Sequence, residues 1–494
     1  MVRPQIPGQA LLKACIWLFI SVFTATSTGR AQNYHGIEGS PYAGSIGVAN
    51  NPASILATPY SWDVVPFSIQ AKNATNAIVF HNWWLLPTTD SIGYNWTPGY
   101  RKRWAAVDYN VHLFNARIAL SRTQAIAFGA NFRGYTVAKT GQFNYNDSLQ
   151  DMNQFFNINR STTYNANAVS SSWLELFGTY SRTIWDNTAS RLNAGVTLKL
   201  QRALSGVFAQ LNGGSVRRAV QGTQTIYYLD AGAAQYGYSS NYDQWHDGNS
   251  TWQNIKNLVK GANAGASLDF GVEYWIKSGA PRVYTDKEDD DDYYEYEWKI
   301  GVSLLDLGAN MYKFGTQSRR ASGPKTNASD SSLNAKFDHV GSLAEFNDSL
   351  ATIVDNIGQL TGSYRIYNPA RLVINVDRPL FDNFSINANL SFNITPANGG
   401  KYLLAKDMNL LSVTPRWETR SLGAYMPVMI NRYGKLWVGG AIKAGPLLFG
   451  IHNLGTLVSK NKMQNGGLYL AFIIHPGRGM TRAKTDKRLD CPPN

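Results

Sequence analysis

Apolar and polar side chains take turns, residue by residue, along stretch after stretch of this chain, and that period of two is what most restricts its fold. Leu192, Ala194, Val196, Leu198 and Leu200 alternate with Arg191, Asn193, Gly195, Thr197, Lys199 and Gln201. Trp298, Ile300, Val302 and Leu304 alternate with Lys299, Gly301 and Ser303. Ile386, Ala388, Leu390, Phe392 and Ile394 alternate with Ser385, Asn387, Asn389, Ser391 and Asn393. The same pattern runs over 126–132, 411–417, 436–442 and 468–474. A helix, at 3.6 residues per turn, cannot gather such a set on one side; a strand can.

Over 107–120 the apolar set sits on Val107, Tyr109, Val111 and Leu113, then moves to Phe114, Ala116, Ile118 and Leu120. Such a one-residue slip marks a β-bulge in one strand, or two short strands. Alternating segments fall near 63–72, 76–84, 106–120, 124–137, 172–184, 190–205, 216–229, 264–277, 295–308, 364–377, 384–395, 408–418, 421–431, 434–442, 445–453 and 466–475. Several have the roughly 9–11 residues that a tilted strand needs to cross a bilayer. The polar side carries Asn, Ser, Thr, Arg, Lys and Gln, opposite a side of Leu, Ile, Val, Phe and Trp. Transmembrane barrels alternate in this way, apolar outward and polar inward, with aromatic girdles at both interfaces. The 14 Trp, 27 Tyr and 21 Phe suit such girdles, with Trp83-Trp84, Tyr227-Tyr228 and Tyr293-Tyr294 as candidates. Closure also pairs every backbone group, which hydrocarbon demands. The expectation is therefore an all-β fold, a transmembrane antiparallel β-barrel of about 14 strands within a range of roughly 14 to 16. A soluble β-sandwich or propeller is the competing architecture. After residue 31 no apolar run approaches the ~18 residues of a spanning helix.

The N-terminus fits export. Arg3 and Lys13 precede an apolar stretch over 14–23, and small residues lead to Gly29-Arg30-Ala31, which together read as a signal peptide over 1–31. An N-terminal membrane anchor is disfavoured because the stretch is short of the ~20 residues of a span, and a lipoprotein at Cys15 because charged Lys13 stands just before it. Removing Arg3, Lys13 and Arg30 leaves 43 basic against 33 acidic residues, a net charge of +10, with Cys491 as the one remaining cysteine. An exported chain with one cysteine has no internal disulfide. The cations are scattered, with no run longer than two except Arg101-Lys102-Arg103. That fits contacts with outer-membrane lipid headgroups and excludes a nucleic-acid footprint.

Short turns such as Ser121-Arg122-Thr123-Gln124 and Asn431-Arg432-Tyr433-Gly434 contrast with longer polar connections, the asymmetry of outer-membrane barrels. Asp286, Glu288 and the aspartates over 289–292 form an acidic cluster that lacks the glycine and terminal glutamate of a calcium loop, so a solvated loop is favoured. Over 333–360, Leu333, Phe337, Val340, Leu343, Phe346, Leu350, Ile353, Val354, Ile357 and Leu360 recur at spacings of three and four, which predicts a helical insertion, as a pair or one long helix. It either plugs the lumen, caps an opening or meets a partner. The seven histidines contain no pair at helical zinc spacing, and no nucleophile elbow, phosphate loop or dinucleotide fingerprint is present. Nothing points to an enzyme, a metal or a cofactor.

Past the signal peptide stands Tyr42-Ala43-Gly44-Ser45-Ile46-Gly47-Val48-Ala49-Asn50-Asn51-Pro52-Ala53-Ser54. This resembles the glycine-rich stretch ending in Asn-Pro-Ala near the mature N-terminus of barrels in the long-chain fatty-acid transporter superfamily. With Leu268-Asp269-Phe270-Gly271-Val272-Glu273-Tyr274, the stretch from Trp298 to Gly308, and Gly445-Pro446-Leu447-Leu448-Phe449-Gly450-Ile451-His452-Asn453-Leu454, the chain more closely resembles an uncharacterised family of Bacteroidota outer-membrane barrels, a domain of unknown function. The resemblance implies that residues 32–60 form a plug or hatch inside a barrel spanning 61–475, with Asn51, Pro52 and Ala53 in the plug; an N-terminal turn outside the barrel is the alternative. A polar tail, 476–494, departs from barrels that end on their last strand. The resemblance further implies binding or passage of a small hydrophobic molecule across the outer membrane. Two other readings stand beside it: an accessory component with protein partners in an envelope or type IX secretion machine, and a soluble secreted β-protein that binds glycans.

Overall fold

In the computed structural model, described over residues 34–81, 93–277, 296–381, 383–394, 402–455 and 463–476, one sheet closes on itself as a barrel of 14 strands. Five long strands begin the wall: β1 (Trp62–Thr75), β2 (Gly99–Ser121), β3 (Gln124–Tyr145), β4 (Tyr164–Asp186) and β5 (Ser190–Gln221). Three interrupted ones follow: β6 (Gln224–Tyr238 and Asn263–Ile276), β7 (Trp298–Lys313 and Arg319–Pro324) and β8 (Val354–Gln359, Ser363–Tyr367 and Arg371–Phe381). The circuit is completed by β9 (Phe384–Asn393), β10 (Leu410–Glu418), β11 (Leu422–Tyr425 and Val428–Asn431), β12 (Leu436–Val438 and Gly440–Ala444), β13 (Leu447–Ile451) and β14 (Asn465–Ile474). Closure is antiparallel, Val64 opposite Ile474 and Phe67 opposite Phe472.

The two faces of the wall decide between barrel and sandwich. Leu176, Leu198 and Leu200 are 62 %, 51 % and 59 % exposed, whereas Asn193 and Thr197 between them are fully buried. Phe270, Val302, Ile386, Val413, Ile442 and Phe472 continue the exposed apolar belt around the wall. A sandwich buries its apolar face; this molecule buries its polar one. That inversion is stable only where the outside is hydrocarbon. Exposed Trp62, Trp185, Tyr274, Phe381 and Trp417 cluster where strands meet the short-turn end, as an aromatic girdle requires.

Strands β2 and β3 join through 122–123, β4 and β5 through 187–189, and β12 and β13 through 445–446, all at the end where β1 starts and β14 stops. The connection 277–297 between β6 and β7 also leaves from that end, whereas the opposite end carries the long connections 146–163 and 325–353. There β5–β8 project beyond a band where three neighbours break together. Gly315 N donates to Tyr238 O (2.7 Å) and Phe314 N to Gly362 O (3.1 Å) across those breaks. Helices α1 (Met152–Ile158), α3 (Asp330–Phe337) and α4 (Leu343–Ile353) pack on the projecting strands through Met152, Phe156, Tyr227, Tyr236, Leu333, Phe337 and Leu350. Helix α2 (Thr251–Lys260) fills the gap inside β6.

Several sequence expectations are met and several corrected. The slip over 107–120 is one strand, β2, with a register shift between His112 and Phe114. The segment 76–84 is no wall strand: Ile78–His81 pairs with Gly93–Trp96 in a separate hairpin. The segment 216–229 is a hairpin turn, because Gly222 (φ +61°) reverses the chain between β5 and β6. The insertion 333–360 is two helices, each capped by a serine: Ser329 Oγ accepts from Ser332 N and Ser342 Oγ from Glu345 N, both at 3.2 Å. Residues 354–359 belong instead to β8, paired with β7. Tyr227 is buried against Phe156 rather than in a girdle. The expectations on 1–31, Trp83-Trp84, the acidic cluster 286–292, Tyr293-Tyr294 and the tail beyond 476 with Cys491 lie outside the described residues.

Candidate functional site

Residues 34–60 run as irregular chain with two short 3-10 turns, Gly44–Ala49 and Pro52–Leu56, against the inward face of the wall. Such a segment leaves most of its peptide groups unpaired by itself, and buried peptide groups must find partners. The wall supplies them. Lys299 Nζ donates to Gly39 O (2.6 Å), Ser303 Oγ to Asn50 O (2.7 Å) and Ser181 Oγ to Pro52 O (2.7 Å). Arg371 Nη2 donates to Ala49 O (3.2 Å), Arg416 Nη1 to Glu38 O (3.1 Å) and Arg117 Nη1 to Ile55 O (3.1 Å). In the other direction Ser45 N donates to Asp63 Oδ1 (2.7 Å) and Gly36 N to the Tyr469 hydroxyl (3.1 Å). The inward polar residues of the alternating strands therefore do a specific job: they solvate a buried backbone. Burial alone would raise the Glu38 carboxyl, but His35, Arg371 and Lys72 outweigh it and hold it below its ordinary value.

Asn51, Pro52 and Ala53 are all buried and act together. Asn51 caps the second 3-10 turn, its Oδ1 accepting from Ala53 N (2.9 Å), with Pro52 at the first helical position, where a missing N–H costs nothing. The same side chain reaches the wall, Asn51 Nδ2 donating to Val272 O (3.0 Å). Two wall glycines make room for this turn. A Cβ on Gly195 would lie 2.7 Å from Ala53 N and Pro52 C, and one on Gly271 would lie 2.0 Å from Asn51 Oδ1.

Beyond the segment lies a layer of charge that the sequence reading did not assemble. Arg133 grips Asp306 with both terminal nitrogens (2.7 and 2.8 Å) and also reaches Glu175 (3.3 Å). Lys199 bridges Asp306 (2.6 Å) and Asp269 (2.7 Å). Arg371 pairs with Asp407, which Lys72 approaches at 3.5 Å. Asp306 adopts φ +59°, at a register shift between Leu304 and Leu307, and its N donates to Asp269 Oδ1 (2.7 Å). Apart from Asp407, in the connection before β10, each charge sits singly on the inward side of its own strand, so no local motif reveals the cluster. Its one sequence signal is a full charge flanked by apolar neighbours, as at Asp269 and Lys199.

On the loop side of this layer the inward positions turn aromatic. Tyr135, Trp173, Phe208, Tyr312 and Tyr364 pack together with Ile366. Tyr135 stacks on Trp173 at 5.6 Å, and Trp173 Nε1 donates to Glu175 (2.9 Å), which ties the aromatic layer to the charged one. A cavity of about 30 Å³ lies between the N-terminal segment and the wall, lined by Val48, Gln70, Asn110, Asn131, Arg133 and Lys199 among others. Gln70 Oε1, Asn110 Oδ1, Asn115 Oδ1 and Asn131 Oδ1 have no protein partner there, which suits buried water.

A closed wall with an apolar exterior, girdled strands and a polar, filled interior defines the class of β-barrel membrane proteins. Residues 52–452 match the model of a family of unknown function, DUF5723, and the chain belongs to that family. No curated protein matches it. Among solved structures, a deltaS2 mutant of the TodX monoaromatic hydrocarbon channel is 11% identical with a TM-score of 0.39, covering 87% of this chain and 94% of that one. The toluene transporter TbuX of Ralstonia pickettii is 9% identical (TM-score 0.35; 87% and 94% covered), and a FadL homologue of Pseudomonas aeruginosa 11% identical (TM-score 0.37; 91% and 98%).

Proposed function

We propose that this protein is an outer-membrane channel, closed at rest by its own N-terminal segment, that binds or passes a small hydrophobic molecule. The short-turn end, where β1 starts and β14 stops, faces the periplasm, and the loops at the other end face outward, as in outer-membrane barrels generally. The observation that carries the reading is the aromatic layer of Tyr135, Trp173, Phe208, Tyr312 and Tyr364, turned inward on the loop side of the charged layer. Packed rings at inward positions are an apolar layer inside an otherwise polar lumen, with Tyr135 at the edge of the cavity, and small hydrophobic ligands prefer aromatic linings. The exposed apolar belt sets aside the soluble glycan-binding reading. A structural role in an envelope assembly is the second reading, favoured by how fully residues 34–60 occupy the hydrogen-bonding groups of the wall.

The test titrates purified protein with toluene and, separately, with oleate, following tryptophan emission. A saturable change that Trp173→Phe abolishes is expected for at least one of them. No saturable change with either, together with unaltered uptake of both by cells lacking the protein, would sink the transport reading in favour of the structural one.

A further inference from the structure

Helix α2 interrupts β6 and lies on the outside of the wall. Asn241 Nδ2, just before it, donates to Leu204 O (2.5 Å), the Tyr242 hydroxyl meets Ser205 Oγ (2.8 Å), and Arg202 Nη1 donates to Ala262 O just after it (3.1 Å). Ser250 caps its start, accepting from Gln253 N (3.2 Å), and buried Asn254 anchors its inner side, Nδ2 donating to His246 O (2.9 Å). Among the described residues nothing covers the remaining surface: Trp252 is 74 % exposed, and Ile255 is 40 % exposed. At about 100° per residue, Trp252, Ile255 and Val259 share one flank, roughly 60° wide. Gln253, Lys256 and Lys260 share the other. The inner side lies in the wide sector between them, which holds Asn254 and Leu258.

The height of the helix on the wall is fixed by counting. On β5 the outward positions Val196, Leu198 and Leu200 are exposed and apolar, Arg202 is exposed and charged, and the α2 insertion attaches at Leu204 and Ser205. A tilted strand crosses hydrocarbon in about 9–11 residues, so a membrane entered near Leu192 at the girdled end is left near Arg202. Helix α2 therefore stands at the far surface of the bilayer, and it runs through Gly261 straight into the lipid-facing strand that carries Leu268 and Phe270.

We infer that α2 lies in the plane of the bilayer at the loop-side boundary between acyl chains and headgroups, with Trp252, Ile255 and Val259 in the apolar layer and Lys256 and Lys260 on anionic headgroup phosphates. Interfacial helices have this composition, an aromatic and aliphatic flank beside a lysine flank, and an anionic surface attracts nearby lysines. The helix continues the lipid-facing belt and fixes the depth of β6 where its pairing with β5 is broken. The inference requires only that the barrel stand in a membrane, whatever it conducts.

The test places single cysteines from 251 to 260, in a Cys15→Ser, Cys491→Ser background, on full-length protein in vesicles of phosphatidylcholine and phosphatidylglycerol. Spin labels there report collisions with oxygen, which partitions into acyl chains, and with a water-soluble nickel chelate. Oxygen maxima at 252, 255 and 259, with nickel maxima at 253, 256 and 260, are expected. Nickel maxima at 252, 255 and 259 would place the helix in water, and exclusion of both reagents there would place it under protein; either overturns the assignment. Lys256→Glu with Lys260→Glu is expected to raise the nickel signal at 252 several-fold in the anionic vesicles and not in phosphatidylcholine alone. An equal response in both overturns the headgroup contact. Retained heat-modified mobility on gels shows that each variant still forms the barrel.

Discussion

At the scale of single residues the barrel is held by charges that are costly to bury and more costly to leave alone. Asp306 takes two bonds from Arg133 and one from Lys199 in a left-handed backbone conformation that aspartate and asparagine tolerate better than most residues. Asp306→Asn keeps the backbone but leaves two buried cations under-compensated, a loss of about 3–5 kcal/mol. Asp186→Asn, which breaks the exposed pair with Lys277, is expected to cost under about 1 kcal/mol. Denaturant unfolding in lipid vesicles measures both, and equal effects would show that the charged layer is not structural. Glu38 adds a pH dependence of definite sign. Its carboxyl is held below its ordinary value, so its contribution to docking residues 34–60 is complete above the ordinary carboxylate range and fades as pH falls through the lowered value. Protease cleavage within 34–60 should rise on acidification, and Glu38→Gln should flatten that rise. None of these charges was legible as a site in the sequence, because they lie on separate strands or in separate irregular segments and only closure brings them together. Asn51, Pro52 and Ala53 entered the sequence reading only through the family resemblance; the cap that Asn51 makes on Ala53 N came into view with the structure.

At the scale of elements, alternation was read correctly wherever a strand has one face in lipid and the other against polar groups, as in β4, β5 and β9. It failed where something other than lipid covers the outer face. The run 216–229 alternates on both sides of a tight turn, and 354–359 carries Val354 and Ile357 at helical spacing although it pairs with β7. Helix α2 escaped notice although Trp252, Ile255 and Val259 recur at spacings of three and four, because the run is only ten residues long and sits between segments read as strands. The belt itself makes a depth-dependent prediction. Leu198→Arg puts a charge on the lipid face near the midplane and should cost about 2–4 kcal/mol, whereas Leu192→Arg, close to the girdled end, should cost about 0–1 kcal/mol. Unfolding in vesicles of defined thickness checks the pair, and equal penalties would mean that β5 does not cross the bilayer at this level.

For the whole molecule, the alternating pattern announced a closed barrel but not which strands meet at the seam, which leaves no local trace, and a plug over 32–60 was expected only from the family resemblance. What fills the middle is set by fit between the N-terminal segment and the wall. Gly195 and Gly271, on neighbouring strands β5 and β6, are bare where Asn51, Pro52 and Ala53 press against them. A methyl group at either would come within 2.7 Å of segment atoms, backbone ones at Gly195. The wall there is fixed by its pairing, Gly195 standing opposite Gly271, so the segment has to yield. Gly195→Ala and Gly271→Ala are therefore expected to leave the barrel intact, judged by far-UV dichroism and heat-modified mobility, while raising single-channel conductance in planar bilayers and exposing 34–60 to protease. Deletion of 34–60 sets the upper limit of that conductance. If the deleted protein conducts no more than the full chain, the segment is not what closes the lumen. If it conducts and the glycine variants do not, the turn at Asn51 is held by its other bonds, to Val272 and Ser181, and those become the latch.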